Sequence, residues 1–155
     1  MKILFATDGT KHGEAAAAMI KKMELGDSDA IHIISVVDMA VPMAVDIYGG
    51  YLPDTTELEK AARASATKIV DDSTVDLQKA FEGRNVHVSG EVLFGSPDSR
   101  IVETAEEDGV DLIVMGSHGY SRWERLLLGS VSNSVVHHAH CSVMVVRSPV
   151  EPAAD

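Results

Sequence analysis

Three glycines and a serine in the last third of the chain have a spacing that suits phosphate chemistry. Gly116 and Gly119 are separated by two residues, and after nine further residues Gly129 is followed directly by Ser130. Glycine lets backbone N–H groups approach a ligand because it has no Cβ in the way. A helix start adds unpaired N–H donors and about half a positive charge. The pattern therefore predicts a phosphate cradle between a strand and a helix, to which the hydroxyls of Ser130 and Ser132 would add donors.

This spacing differs from two common phosphate-binding motifs. A Walker loop requires Gly-Lys-Ser/Thr, and the chain has no lysine after Lys79. The dinucleotide fingerprint GxGxxG requires three glycines after a strand, and Gly9 stands alone after the first predicted strand. Positive charge for the phosphates would have to come from His118, Arg122 or Arg125, or from a metal ion.

Other residues with chemical potential lie in weaker patterns. His137, His138 and His140 suggest metal binding, but no cysteine pair or converging carboxylates accompany them, so we predict no metal site on the protein. Cys141 has no recognisable activating partner. No Ser/His/Asp order and no pair of carboxylates indicates hydrolytic machinery, and we therefore predict no catalytic residue.

The elements that must position these residues alternate between strand and helix. The predicted strands are Lys2–Thr7, Ala30–Val37, Asn85–Gly95, Val110–Gly116 and Cys141–Arg147. The predicted helices begin after Thr10, at about Thr55, at Pro97 behind the cap Ser96, and at Ser130. This alternation predicts a doubly wound, Rossmann-like α/β fold, a five-stranded parallel sheet of order 3-2-1-4-5 with helices on both faces. Ligands bind such sheets where the strand order reverses, which would bring Asp8 and Gly116 together.

One long segment fits neither the helical nor the strand period. Asp38–Pro53 contains Gly49-Gly50 and two prolines. We expect a long loop, of a length that often serves as a lid over a ligand. Asp54 and Glu57 behind it resemble a capping box for the long helix that follows.

Composition excludes several classes of protein. The chain has 155 residues, of which 24 are acidic and 13 basic, for a net charge of −11. Such a surface repels nucleic-acid phosphates, so we predict no nucleic-acid partner; adaptation to high salt is a second hypothesis for the acidity. No apolar run approaches the roughly 20 residues of a membrane span. The single cysteine suits a reducing cytoplasm, where we expect the protein to act.

The chain as a whole resembles the universal stress protein family. The G-2x-G-9x-G-S pattern that marks the family's ATP-binding branch is present in the chain, as MGSHG followed after nine residues by GSVS. In addition, ILFATDG resembles the family's first strand, SVVD the end of its second strand, and GSP the start of its third helix. The resemblance covers residues 1–147, which we expect to form one domain followed by a tail over 148–155. Tyr120 and Trp123 depart from it, because they bring bulk to a loop often filled by smaller or aliphatic residues.

The resemblance implies a set of nucleotide-binding residues. These are Ala6, Thr7, Asp8, Val36, Met115, Gly116, His118, Gly119, Gly129, Ser130, Val131 and Ser132. In this assignment Asp8 meets the ribose or adenosine and the backbone of Val36 holds adenine. Met115 and Gly116 border the ribose, and the segments at His118-Gly119 and 129–132 approach the phosphates.

The resemblance also implies a function. It predicts a nucleotide-responsive stress regulator that binds ATP, with Mg²⁺ or Mn²⁺ held mainly by the phosphates, and hydrolyses it slowly if at all. It predicts a homodimer formed through the last strands, with a homotetramer as a further step, and a regulated protein partner that the sequence does not identify. Two alternatives stay open: a genuine ATP-hydrolysing enzyme, and an interaction module without nucleotide.

Overall fold

The structure is a computed structural model that describes residues 1–38, 56–117 and 128–148. Strands and helices alternate along these ranges, as predicted. In chain order they are β1 (Lys2–Ala6), α1 (Lys11–Ile20), β2 (Ala30–Val37), α2 (Thr56–Ala80), β3 (His87–Phe94), α3 (Pro97–Glu107), β4 (Leu112–Gly116), α4 (Ser130–His138) and β5 (Ser142–Val146).

The five strands form one parallel sheet in the order β3-β2-β1-β4-β5. In this sheet Ile3 of β1 pairs with Ile31 of β2 on one side and with Leu112 of β4 on the other. The order reverses between β1 and β4, because the chain builds outward to β3 and then crosses back to β4. The predicted fold class and strand order are therefore confirmed.

Both faces of the sheet are covered by helices, which explains why the strands read as nearly unbroken apolar runs. Side chains alternate along β1: Ile3 and Phe5 enter one core, and Leu4 and Ala6 enter the other. The first core includes Ala16, Ile20, Leu77 and Phe81, from α1 and the region of α2. The second includes Ile101, Ala105 and Val135, from α3 and α4. The two helical pairs thus lie on opposite faces.

Two helix starts differ from prediction in their hydrogen bonds. Thr10 and Ser96 occupy the N-cap positions of α1 and α3, but neither side chain bonds to its helix backbone. The Thr10 hydroxyl instead donates to Asp8 Oδ1 at 2.7 Å, and the Ser96 hydroxyl donates to Asp98 Oδ1 at 2.6 Å. In both places the hydroxyl is oriented toward a nearby carboxylate, and a hydrogen bond to a charged acceptor is stronger than one between neutral groups.

The remaining boundaries differ from prediction by only a few residues. β4 begins at Leu112 rather than Val110, and β5 begins at Ser142, one residue after Cys141. Gly83, with φ +80°, lies just beyond the end of α2 in the conformation that favours glycine. Asp54 and the segment 39–53 lie outside the described residues. Across the ranges that are described, the helices lack the length and apolar character that a membrane span requires.

Candidate functional site

A cavity of about 420 Å³ lies at the carboxyl ends of β1, β2 and β4, where the strand order reverses. Its lining contains ten of the predicted residues: Ala6, Thr7, Asp8, Val36, Met115, Gly116, Gly129, Ser130, Val131 and Ser132. The other two, His118 and Gly119, lie outside the described residues. The structure therefore brings together residues that are up to 126 positions apart in the chain, counted from Ala6 to Ser132.

The cavity is also lined by five residues that sequence reasoning missed. They are Gly13, Ile34, Asp38, Pro97 and Ile101. Two signals could have found most of them. Ile34 precedes Val36 by two positions and shares its face of the strand. Pro97 and Ile101 belong to the first turns of α3, whose start directly after β3 was predicted.

The N-terminus of α4 forms the polar end of the cavity. Gly129 is its N-cap, with extended backbone, and the first intrahelical bond runs from the Asn133 amide to the Gly129 carbonyl at 2.9 Å. As in any first helical turn, the amides of Ser130, Val131 and Ser132 have no acceptor within the helix. These three residues line the cavity, so the positive end of the helix dipole faces it.

The two ends of the 118–128 segment are joined by hydrogen bonds to one carbonyl. The Gly129 amide donates to the Ser117 carbonyl at 2.8 Å, and the buried Ser132 hydroxyl donates to the same oxygen at 2.9 Å. A hydroxyl has one proton, and here that of Ser132 is directed to backbone carbonyls, with the Gly129 carbonyl oxygen also within reach at 3.0 Å. The expectation that this hydroxyl donates to a phosphate stays a prediction. The Ser132 hydroxyl thus links the first turn of α4 to the residue after β4, whereas Ser130 is exposed.

Gly116 is glycine for a different reason from the one the sequence suggested. It is absent from the described glycines with positive φ. A Cβ built on it would lie 2.7 Å from His12 Cβ and 2.8 Å from the His12 carbonyl carbon. The close approach of α1 to the end of β4 therefore requires a glycine here.

Residues 1–147 match the model of the universal stress protein family. The chain belongs to this family. It is 34% identical over 149 residues to universal stress protein MJ0531 of Methanocaldococcus jannaschii, covering 96% of this chain and 82% of that one. Universal stress protein MJ0577 of the same organism is 28% identical over 152 residues, 94% of each chain. The solved structure of MJ0577 has a TM-score of 0.76 at 27% identity and 97% coverage of both chains.

A more distant member of the universal stress protein family shares the fold. The structure of a family protein from Arabidopsis thaliana with AMP bound has a TM-score of 0.65 at 16% identity, covering 100% of this chain and 99% of that one. At this identity the likeness concerns the fold alone.

In this universal stress protein the charged side chains of the described cavity lining are acidic. Asp8 and Asp38 contribute carboxylates, and the described lining contains no lysine or arginine. Asp8 Oδ1 accepts from the Thr10 amide at 3.0 Å as well as from its hydroxyl, which fixes the carboxylate at the end of β1. Arg122 and Arg125 lie outside the described residues. The cavity thus places carboxylates at one part of its wall and helix amides at another.

The histidines of α4 and Cys141 lie in surroundings that do not favour metal binding or thiol reactivity. Nδ1 of His137 lies 2.8 Å from the Asn133 carbonyl oxygen, and Nδ1 of His138 lies 2.8 Å from that of Ser134, so each ring can donate to its own helix. In the described ranges no group of three or more His, Cys, Asp or Glu is placed to hold a metal ion. Burial raises the pKa of the Cys141 thiol, which disfavours its reactive thiolate form.

Proposed function

We propose that this protein belongs to the ATP-binding branch of its family and binds ATP in the cavity between β1, β4, α3 and α4. The observation that carries the proposal is the position of the first turn of α4. Its amides face a cavity that ten residues expected from the family pattern also line. Aligned amides and a helix dipole are the environment that phosphates require. An AMP-bound family member with the same fold supports an adenine nucleotide as the ligand.

The rest of the cavity suits the nucleoside. Ile34, Val36, Ile101 and Met115 supply apolar contacts on the side of the second core. The volume of about 420 Å³ falls within the range of small-ligand sites, roughly 300 to 1,000 Å³. In this pose the base lies against the apolar wall, the ribose near Asp8, and the phosphates over α4.

A divalent cation would enter chiefly with the nucleotide. Mg²⁺ and Mn²⁺ prefer oxygen ligands, and the described lining offers the carboxylates of Asp8 and Asp38. Because no lysine or arginine offsets them there, a triphosphate would meet repulsion that a cation relieves. We therefore assign the ion chiefly to the phosphates themselves.

We propose a regulatory role for the bound nucleotide, with hydrolysis slow or absent. In the described part of the lining, the polar groups at the phosphate end are the backbone amides of α4 and the Ser130 hydroxyl, which can bind phosphates but supply no general base to activate water. The protein would act in the cytoplasm and respond to nucleotide by presenting a surface to a protein partner. Most of the predicted lid, 39–53, lies outside the described residues.

Calorimetry with ATP, ADP, AMP and cyclic AMP tests the proposal. We expect ATP to bind at micromolar to millimolar concentration, and chelation of divalent cations to weaken ATP about tenfold or more and AMP little, since AMP carries less charge. The same samples, assayed for released ADP, should turn over far more slowly than ordinary enzymes, whose median is about 10 s⁻¹. Failure of all four nucleotides to bind at millimolar concentration would exclude the function.

We also propose a homodimer formed through β5. Among the described residues β5 pairs only with β4, so its outer edge presents N–H and C=O groups on a strand of sequence SVMVV. Proteins rarely leave such an apolar edge uncovered. Val136 of α4, 43% exposed, adds apolar surface on the neighbouring helix. Sedimentation equilibrium should give at least twice the monomer mass of 16.6 kDa; a monomer at tens of micromolar would contradict the proposal.

A further inference from the structure

The first part of α3 contributes to the wall of the cavity, as the first turn of α4 does. Pro97 and Ile101 line it from α3, whereas Ser130, Val131 and Ser132 line it from α4. The two helices pack against each other, and Ile101 and Val135 belong to the same core. The relative position of these two helices therefore affects the shape of the cavity.

Asp98 connects the two helices. Its Oδ2 accepts a hydrogen bond from the Ser134 hydroxyl of α4 at 2.7 Å, and its Oδ1 accepts one from the Ser96 hydroxyl at 2.6 Å. The hydrogen bonds from Ser96 and Ser134, and a backbone bond from Ser99, hold the pKa of the Asp98 carboxyl below its usual range. At neutral pH the carboxylate is ionised, and hydrogen bonds to a charged acceptor are stronger than neutral ones.

This hydrogen bond joins residues that are close in sequence to the lining residues of both helices. Asp98 follows Pro97 and precedes Ile101 by three residues in α3. Ser134 is four residues, about one helical turn, after Ser130 in α4. Neither Asp98 nor Ser134 belongs to the lining, so the bond acts on the cavity through the residues beside it.

We propose that Asp98 is a positioning residue for the nucleotide, whose hydrogen bond to Ser134 fixes the apolar wall of α3 against the amides of α4. The proposal rests on the proposed function of the cavity. The base and the phosphate chain of a nucleotide are covalently linked, so both walls must be in compatible positions at the same time. Loss of the bond lets α3 move relative to α4, and the nucleotide must then restore the separation at the expense of its affinity.

The test compares three serine and aspartate variants in ATP calorimetry. Ser134→Ala and Asp98→Ala should each weaken binding by about three- to tenfold, since each removes the bond between the helices. Ser96→Ala is the matched control: it removes the other hydroxyl donor to the same carboxylate but leaves the bond to α4. It should bind ATP within twofold of the unmodified protein. Ser134→Thr, which keeps the hydroxyl, should restore affinity.

A double-mutant cycle separates positioning from a loss of stability. Asp98→Ala/Ser134→Ala should bind ATP no more weakly than either single variant, because the bond can be lost only once. All affinities are measured well below the unfolding transition of each variant, where a change in stability leaves the dissociation constant of the folded protein unchanged.

Three results would overturn the inference. They are unchanged affinity in Ser134→Ala, equal losses in Ser96→Ala and Ser134→Ala, and additive losses in the double variant. These results require an unmodified protein that binds ATP. Absence of binding in the unmodified protein would instead overturn the proposed function, so the two failures are distinguishable.

Discussion

Replacing Ser130 with proline is expected to weaken ATP binding by about 10- to 100-fold, because the phosphates lose one backbone hydrogen bond and bonds to charged groups are among the stronger ones. Ser130 is the first residue of α4, and its amide needs no acceptor within the helix. Proline at this position removes the N–H without breaking a helical bond, and its fixed φ suits the first turn. The preceding Gly129, with φ −60° and ψ 158°, has the extended conformation that a residue before proline adopts.

The control for this variant is Ser130→Ala, which removes the hydroxyl and keeps the amide. It should weaken ATP binding by less than Ser130→Pro, and comparison of the two isolates the backbone donor. Chemical denaturation should show that Ser130→Pro unfolds with a free energy within about 1 kcal/mol of the unmodified protein, because proline is favoured here. Equal affinities for ATP in both variants would show that the phosphates do not use this amide.

The fold was predictable because local patterns and topology agreed. β1 is flanked by β2 and β4 and covered by helices on both faces, so it must be apolar at successive positions, as Ile3, Leu4, Phe5 and Ala6 are. Period and capping signals placed the strands and helices, and the handedness of parallel connections then allowed few strand orders. The same topology predicts that Asp8 and Gly116 lie at one end of the sheet, because they follow or end neighbouring parallel strands.

Parts of the site were not predictable, because they depend on contacts between distant segments. In the sequence the Ser132 hydroxyl is a candidate hydrogen-bond donor to a phosphate, but its bond to the Ser117 carbonyl joins residues that only the folded chain brings together. Asp98 and Ser134 are 36 residues apart. In the sequence each can be explained within its own helix, so neither indicates a bond to the other. A single sequence also carries no information on how far one helix lies from another, which affects the shape of the cavity.

Gly116 shows how a glycine within a motif can have a structural cause that the motif does not reveal. The spacing Gly116-x-x-Gly119 suggested a backbone exposed to ligand, and Gly116 does line the cavity. The constraint, however, comes from His12 of α1, whose backbone carbonyl carbon and oxygen would lie 2.8 and 2.9 Å from an added Cβ. Backbone atoms cannot rotate away as the end of a side chain can, so α1 as a whole must move.

Gly116→Ala is therefore expected to lower the free energy of unfolding by about 2 to 3 kcal/mol, as overpacking in a rigid interior does. For a chain of 155 residues this corresponds to a fall in Tm of roughly 5 to 10 °C. Gly26→Ala is the matched control, because no atom lies within 4 Å of the added methyl group, and its Tm should stay within about 2 °C. Thermal unfolding followed by circular dichroism measures both. Equal Tm values for the two variants would mean that α1 accommodates the methyl group, and that Gly116 serves ligand access rather than the packing of α1.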